Sequence, residues 1–141
     1  MAPRSRVRTG SRVFRSLDFL YVPTDDVDDS ARRFVEALGA TLVWKVRAMG
    51  TVVACLRVSD AGPTVLLSGH LEGTAPILIY RVDDYTEAVA ALRAAGVEDV
   101  REVEIPHGPC ASFRAPGGQR LAVYELTRPQ ADRHFSGRID E

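Results

Sequence analysis

The sequence predicts an α+β domain in which two βαβββ modules lie side by side and form a concave mixed-sheet cup. Two observations predict this fold. A segment that begins with acidic residues at Asp26 and ends at Gly39 returns as a similar segment between Asp83 and Gly96, and both pairs are 57 positions apart. One β-like run precedes each segment and three follow it. Two four-stranded sheets with one helix each, packed side by side, would leave a concave face.

The first module begins with an apolar, β-favouring run over residues 17–22. A helix is expected to start near Asp26, because the positive end of the helix dipole favours the acidic residues there. Gly39 ends it, since glycine adopts a positive φ without a Cβ penalty. Strands are expected over 40–46, 51–58 and 64–67. The apolar face of the helix consists of Val27, Ala31, Phe34, Val35 and Leu38.

The second module repeats this order. It starts with a strand over 76–82 and continues with a helix over 83–95 that Gly96 closes. The Pro-Gly-Gly sequence at 116–118 predicts a turn between its last two strands. Strands are expected over 100–105, 109–114 and 119–126. The apolar face of its helix consists of Tyr85, Ala88, Val89, Leu92 and Ala95.

The predicted modules leave a short segment at each end of the chain. Residues 1–16 form a basic N-terminal arm, and residues 17–127 form a single domain whose modules span about 17–68 and 76–127. Residues 128–141 form a polar C-terminal tail, which we expect to be loose.

Composition and charge restrict the classes of function. The chain has 141 residues, 45% of them hydrophobic, with a formal net charge of −1, so it can bury a core but has no strong field for nucleic acid or membranes. No apolar run approaches the roughly 20 residues of a bilayer span. Cys55 and Cys110 are too few for a disulfide scaffold. We expect a cytoplasmic domain with reduced thiols and no nucleic-acid or membrane partner.

The order and spacing of these features resemble the vicinal oxygen chelate superfamily, which includes glyoxalase I, extradiol dioxygenases and bleomycin-resistance proteins. The resemblance covers about residues 17–127. It rests on the paired acidic helix starts, the glycine stops at Gly39 and Gly96, and the run APGGQRLAVYE at 115–125. That run is similar to the family's DPDGN-R-I-E-L-Y-E ending.

The resemblance implies four positions that bind a divalent metal in the family's enzymes, one on each of four strands. In this chain they fall on Phe19, Leu66, Ile77 and Ala122. Metal ions need oxygen, nitrogen or sulfur donors, which these side chains lack. We therefore predict no metal and no cofactor, as in bleomycin-resistance-type members. Glu125 lies three residues beyond the ligand position, and this offset places it on the opposite face of the strand.

Side chains of the same strand parity as the four positions should face the cup. Trp44 joins them on the second strand, where it shares parity with Leu42 and Val46. The result is an apolar, aromatic site with a few polar groups at its rim, as is usual for small-molecule sites. The predicted ligand-binding residues are Phe19, Tyr21, Trp44, Leu66, Ile77, Ile79, Arg81, His107, Ala122 and Tyr124. Arg81 can pair with a carboxylate or phosphate. Alternatively, Phe19, Leu66 and Ile77 fill the cup as core.

A second group of reactive side chains lies at Glu104, His107 and Cys110. A cysteine near a histidine can form a nucleophile and base pair, and all three residues can bind metal. Contact of His107 with a ligand is the preferred interpretation, because this turn borders the pocket in the family. His70, in a glycine-bounded loop, is expected to be exposed.

These observations predict a metal-independent protein of the bleomycin-resistance type that holds an apolar or aromatic metabolite and, by analogy with the family, forms a homodimer. Its catalytic residues, if any, are unassigned. The alternative is a metal-dependent lyase, isomerase or dioxygenase with displaced ligands, such as Glu125 or His107. A third possibility is a partner-binding module that uses the backs of the sheets and the arginine-rich arm.

Overall fold

A computed structural model of the chain describes residues 13–48, 50–69, 75–131 and 135–140. The first twelve residues of the arm and His70 lie outside the described residues. Within them the elements follow the predicted order, with shifts of one or two residues at their ends. The elements are β1 (Ser16–Pro23), α1 (Val27–Leu38), β2 (Thr41–Ala48), β3 (Thr51–Arg57), β4 (Thr64–Ser68), β5 (Ile77–Val82), α2 (Tyr85–Ala94), β6 (Glu98–Ile105), β7 (Gly108–Arg114) and β8 (Arg120–Glu125).

The strands form one mixed sheet in the order β2-β3-β4-β1-β5-β8-β7-β6, which confirms the two βαβββ modules. Within each module the first and last strands pair in parallel, β1 with β4 and β5 with β8. The modules join through the antiparallel pair of β1 and β5. The sheet does not close into a barrel, since β2 and β6 remain at its two ends.

Both helices begin at the repeated aspartates. The Asp26 side chain accepts a hydrogen bond from the Asp29 N–H, and the Asp84 side chain accepts one from the Glu87 N–H. These are N-cap bonds, which satisfy backbone donors that the first helical turn leaves unpaired. The second helix therefore starts one residue later than its first acidic residue suggests. Gly39, with φ of 72°, ends α1 in the left-handed conformation.

The helices cover one face of the sheet, each over its own cluster of buried residues. The predicted apolar face of α1 is only partly buried. Val35 and Leu38 are 39% and 58% exposed, whereas Ala40, at the turn into β2, belongs to the buried cluster. Ala95 is likewise exposed.

A third buried cluster lies on the opposite, helix-free face. It includes Trp44 of β2, Tyr124 of β8 and Ile105 at the end of β6. His107, in the turn between β6 and β7, packs on this face at a ring-centroid distance of 4.5 Å from Phe19 of β1. Strands β1 and β7 are three positions apart in the sheet, about 14 Å if the sheet were flat, so the sheet curves toward this face. The helix-free face is therefore the concave one. Leu42 and Trp44 were predicted to face the same side of the sheet, which is wrong. A register shift between them turns Leu42 toward the α1 side.

The C-terminal segment is attached to the domain, contrary to the expectation of a loose tail. The Arg128 guanidinium donates to the carbonyl oxygens of Pro106 and Ile105 at 2.8 and 2.7 Å. The Phe135 ring packs against Trp44 at a centroid distance of 5.2 Å. Residues 138–140 then run along the outer edge of β2, where the Lys45 N–H donates to the Arg138 carbonyl oxygen. This segment therefore covers part of a strand edge that would otherwise be open.

No helix within the described part of the chain is long and apolar enough to cross a bilayer.

Candidate functional site

The sheet register brings the four predicted ligand positions together on the concave face. Phe19 pairs with Ile79 and Tyr21 pairs with Ile77 across the junction of the modules. Tyr21 also pairs with Leu66, and Ile79 also pairs with Ala122. The four positions therefore lie in two neighbouring rows around the β1–β5 junction.

The side chains at these positions do not fit a metal ion. Phe19, Leu66 and Ala122 belong to the buried cluster of the concave face, and Ile77 packs against it. None of the four carries a donor atom on its side chain. Among the described residues no group of three or more His, Cys, Asp or Glu side chains could hold a metal.

The structure places most of the predicted ligand-binding residues in this one cluster. Arg81 lies at the rim, with 43% of its side chain exposed. His107, in the turn between β6 and β7, stacks against Phe19 at a centroid distance of 4.5 Å. The predicted residues inside the cluster are Phe19, Tyr21, Trp44, Leu66, Ile79, Ala122 and Tyr124.

The centre of the concave face is tightly packed. Its clustered residues are at most 7% exposed, and Ile79 and Ala122 are 0% and 1% exposed. The Phe19 ring lies 5.4 Å from Tyr124 and the Trp44 ring lies 5.2 Å from Phe135. A molecule that binds over this centre must therefore displace a side chain, and Phe135 is the candidate that comes from outside the sheet.

One end of the concave face carries a polar group that sequence reasoning missed. The Tyr124 hydroxyl donates to Oδ2 of Asp18 at 2.5 Å, and Ser16 Oγ donates to the other carboxylate oxygen at 2.6 Å. Nε of Arg81 lies 3.6 Å from the same carboxylate. Simple alternation assigns Asp18 to the face opposite Phe19, but a register shift between Leu17 and Phe19 changes this. The available signal was an aspartate inside an apolar strand.

An open cavity of about 400 Å³ adjoins this polar end. Arg15 lines it and binds Asp83 through its Nε at 2.7 Å. The cavity is lined by Arg15, Arg81, Val82, Asp83, Glu125 and Leu126. Arg81 is the residue that this cavity shares with the polar end of the concave face, whereas Glu125 lies on the helix side of the sheet.

Glu125 has a structural role on the helix side of the sheet. Its Oε1 accepts a hydrogen bond of 2.8 Å from the N–H of Tyr85, the first residue of α2. This bond satisfies a backbone donor that the helix itself leaves unpaired. Val123, two residues before Glu125 on the same strand, belongs to the cluster under α2, so this side of β8 faces the helix.

The group of Glu104, His107 and Cys110 does not form a reactive centre. Glu104 is paired with Arg128. Burial raises the pKa of the Cys110 thiol to about 12, and the nearby Glu104 carboxylate adds to the effect. A thiol with this pKa is protonated at neutral pH, so it is a poor nucleophile and a poor metal ligand. Burial likewise raises the pKa of Tyr21 to about 12.

Solved structures with a similar fold include methylmalonyl-CoA epimerases. The enzyme from Mycobacterium tuberculosis is 19% identical with a TM-score of 0.69, covering 91% of this chain and 99% of its own. A variant from Streptomyces coelicolor, in complex with 2-nitronate-propionyl-CoA, is 13% identical with a TM-score of 0.67, covering 82% and 96%. A hypothetical protein from Bacillus halodurans is 16% identical with a TM-score of 0.63, covering 77% and 92%. At these identities the likeness shows the fold alone.

Comparison with curated protein sequences gives no match. The family model of the Glyoxalase/Bleomycin resistance protein/Dioxygenase superfamily matches residues 16–123, which is most of the chain. The protein therefore belongs to the glyoxalase, bleomycin resistance and dioxygenase superfamily.

Proposed function

We propose that this protein binds a small apolar or aromatic molecule at the concave face, without a metal at the family's ligand positions. The observation that carries this proposal is the set of side chains at those positions, Phe19, Leu66, Ile77 and Ala122. Buried apolar side chains stabilise an apolar ligand by removing its surface from water, at about 25 cal/mol per Å². They offer a metal ion no compensation for its lost hydration.

The polar end of the face would fix the orientation of the ligand. Tyr124 and Asp18 provide a hydroxyl and a carboxylate in direct contact. Arg81, about half-exposed beside them, can donate two parallel N–H groups to a carboxylate. A ligand with one apolar end and one carboxylate or hydroxyl therefore matches the arrangement. The Phe135 ring over Trp44 would move aside as the ligand binds.

The proposal includes a cytoplasmic homodimer, by analogy with family members of this size. Analytical ultracentrifugation of the free protein tests it: a mass of two chains supports the dimer, and a mass of one chain excludes it. The result is separate from the test of ligand binding.

A second candidate is an isomerase or lyase of the same superfamily. This candidate is motivated by the solved structures with a similar fold, several of which are methylmalonyl-CoA epimerases. The contacts of Glu125 and His107, the two residues suggested as displaced metal ligands, do not support a metal-dependent enzyme. Glu125 caps α2 and His107 stacks on Phe19. An enzyme would instead use Asp18 to accept a proton and the Tyr124 hydroxyl as a donor next to it.

One set of experiments separates the candidates. Binding of aromatic acids and acyl-CoA thioesters is measured by calorimetry for the wild type and for Ala122→Leu, which enlarges a fully buried position on the face. Binding that this variant weakens at least tenfold supports the concave site. Solvent deuterium incorporation into methylmalonyl-CoA, lost in Asp18→Asn, supports the enzyme. Binding that Ala122→Leu leaves unchanged would exclude both candidates at this face.

A further inference from the structure

Three arginines converge on one carboxylate at the opposite end of the second module. Nε and Nη2 of Arg101 each lie 3.0 Å from an oxygen of Asp99. Nη1 of Arg120 donates to Asp99 Oδ2 at 2.7 Å, and Nη2 of Arg114 lies 3.5 Å from the same oxygen. Arg101 therefore contacts both oxygens of the Asp99 carboxylate, whereas Arg114 and Arg120 contact only Oδ2.

The sheet register places this group on the concave face. Arg114 of β7 and Arg120 of β8 are direct ladder partners, and Ser112 is the partner of both Arg101 and Ala122. Directly opposed residues of an antiparallel pair project from the same face. Since Ala122 belongs to the concave cluster, the arginines share its face. Nη2 of Arg120 also donates to Ser112 Oγ at 2.5 Å.

The single carboxylate of Asp99 does not neutralise the positive charges of both Arg114 and Arg120. The Arg101 hydrogen bond is the largest cause of the lowered pKa of Asp99. Arg114 and Arg120 then share what remains of one carboxylate, and like charges directly opposite each other destabilise a sheet.

The backbone at Asp99 is also unusual. Its φ is 56°, and it is the one non-glycine residue with a positive φ within the described residues. This conformation costs about 1 kcal/mol or more for a residue with a Cβ. Such strain persists where surrounding interactions hold the residue in place, and here it aims a carboxylate at the arginines.

We propose that Arg114 and Arg120 form a binding site for a dianionic phosphate group of a small molecule. Two neighbouring guanidinium groups offer paired N–H donors to phosphate oxygens, and a dianion would relieve their mutual repulsion. Arg114 is 48% exposed and Arg120 is 23% exposed, so the site is open to solvent on one side. The inference stands on this geometry and does not depend on the proposed function.

The site also lies within reach of the polar end of the concave face. Arg120 and Tyr124 are four residues apart on β8, which corresponds to about 13 Å along the strand. A single phosphorylated molecule of that length could contact both ends of the face.

The test is calorimetric titration of the full chain with pyrophosphate at low ionic strength. The wild type should bind it, and Arg114→Gln should weaken binding at least tenfold. Arg32→Gln, at an exposed arginine on α1 that is paired with Asp29 and Glu36, should leave binding unchanged. Without ligand, the Arg114→Gln variant should have the same free energy of unfolding as the wild type, because the substitution removes a repelling charge. If Arg114 had only a structural role, the variant would be less stable.

Pyrophosphate binding that survives Arg114→Gln, or no binding to the wild type, would overturn the proposal. A single-stranded oligonucleotide serves as the second arm. Tighter Arg114-dependent binding of the oligonucleotide than of pyrophosphate would overturn the small-molecule assignment in favour of nucleic acid. The test involves no ligand of the apolar centre, so its failure is distinguishable from failure of the proposed function.

Discussion

The Tyr124 hydroxyl and the Asp18 carboxylate form a hydrogen bond of 2.5 Å between residues 106 positions apart in the sequence. It joins the last strand of the second module to the first strand of the first. Because both residues adjoin the buried cluster of the concave face, the bond combines a tie between modules with a polar contact point for a ligand.

Replacement of Tyr124 by phenylalanine should lower the free energy of unfolding by about 1–2 kcal/mol, because it removes a hydrogen bond to a charged group. Equilibrium urea unfolding measures the change. Tyr80→Phe is the matched control, since Tyr80 lies on the opposite face against Phe14. Equal loss in the two variants would contradict a special role for the Tyr124 hydroxyl.

Replacement of Gly108 by alanine should be more disruptive. Gly108 has φ of 154°, and a Cβ there would lie 2.0 Å from the Glu125 carbonyl oxygen, so the backbone between β7 and β8 would have to move. We expect a loss of more than about 2 kcal/mol in urea unfolding. Gly62→Ala is the control, because its φ is 93° but a Cβ meets nothing within 4 Å. A Gly108→Ala variant no less stable than this control would show that the close approach is relaxed in solution.

The helices illustrate what local sequence predicts well. The starts follow from aspartates that accept backbone hydrogen bonds, and the end of α1 follows from Gly39. These are interactions within a few residues of the chain, so they depend little on tertiary contacts. The repeat of the whole pattern then predicts the order of the strands.

The candidate site was only partly predictable. Strand parity correctly brings Phe19 and Ala122 to one face, but it fails at the register shifts beside Asp18 and Trp44. Packing over the face also depends on Phe135, from a segment whose own composition predicts a loose tail. Bulges and long-range cover arise from tertiary contacts, which the local pattern does not encode.

The two cysteines should be unreactive in the folded protein. Both are buried, and burial raises the pKa of Cys110 to about 12. A thiol reagent at pH 8 should therefore label the native protein slowly and both thiols rapidly in concentrated urea. Rapid stoichiometric labelling of Cys110 in the native protein would instead support a nucleophilic role for that residue.

Acid should weaken the attachment of the C-terminal segment to β2. The hydrogen bond from Arg138, followed by the hydrogen bond from the Arg47 N–H, lowers the pKa of Asp140 to about 2 from its usual value of 3.8. Since the folded pKa is the lower one, the stabilisation is present above pH 3.8 and is lost as the pH falls toward 2. The NMR signal of the Arg47 amide, which donates to Asp140, should shift in this window. Asp140→Asn should abolish the shift, and an unchanged shift in that variant would assign it to another group.

Whether the protein binds a metal is tested by thermal unfolding of chelator-stripped protein with and without Ni²⁺, Zn²⁺, Mn²⁺ and, anaerobically, Fe²⁺. A ligand at about 1,000 times its dissociation constant stabilises a protein by roughly 4 kcal/mol, which would raise the unfolding temperature by several degrees. Because the four family positions carry Phe19, Leu66, Ile77 and Ala122, we predict no shift with any of these metals. A clear shift with one metal, lost in His107→Ala or Glu125→Ala, would contradict the account and identify a metal-dependent enzyme.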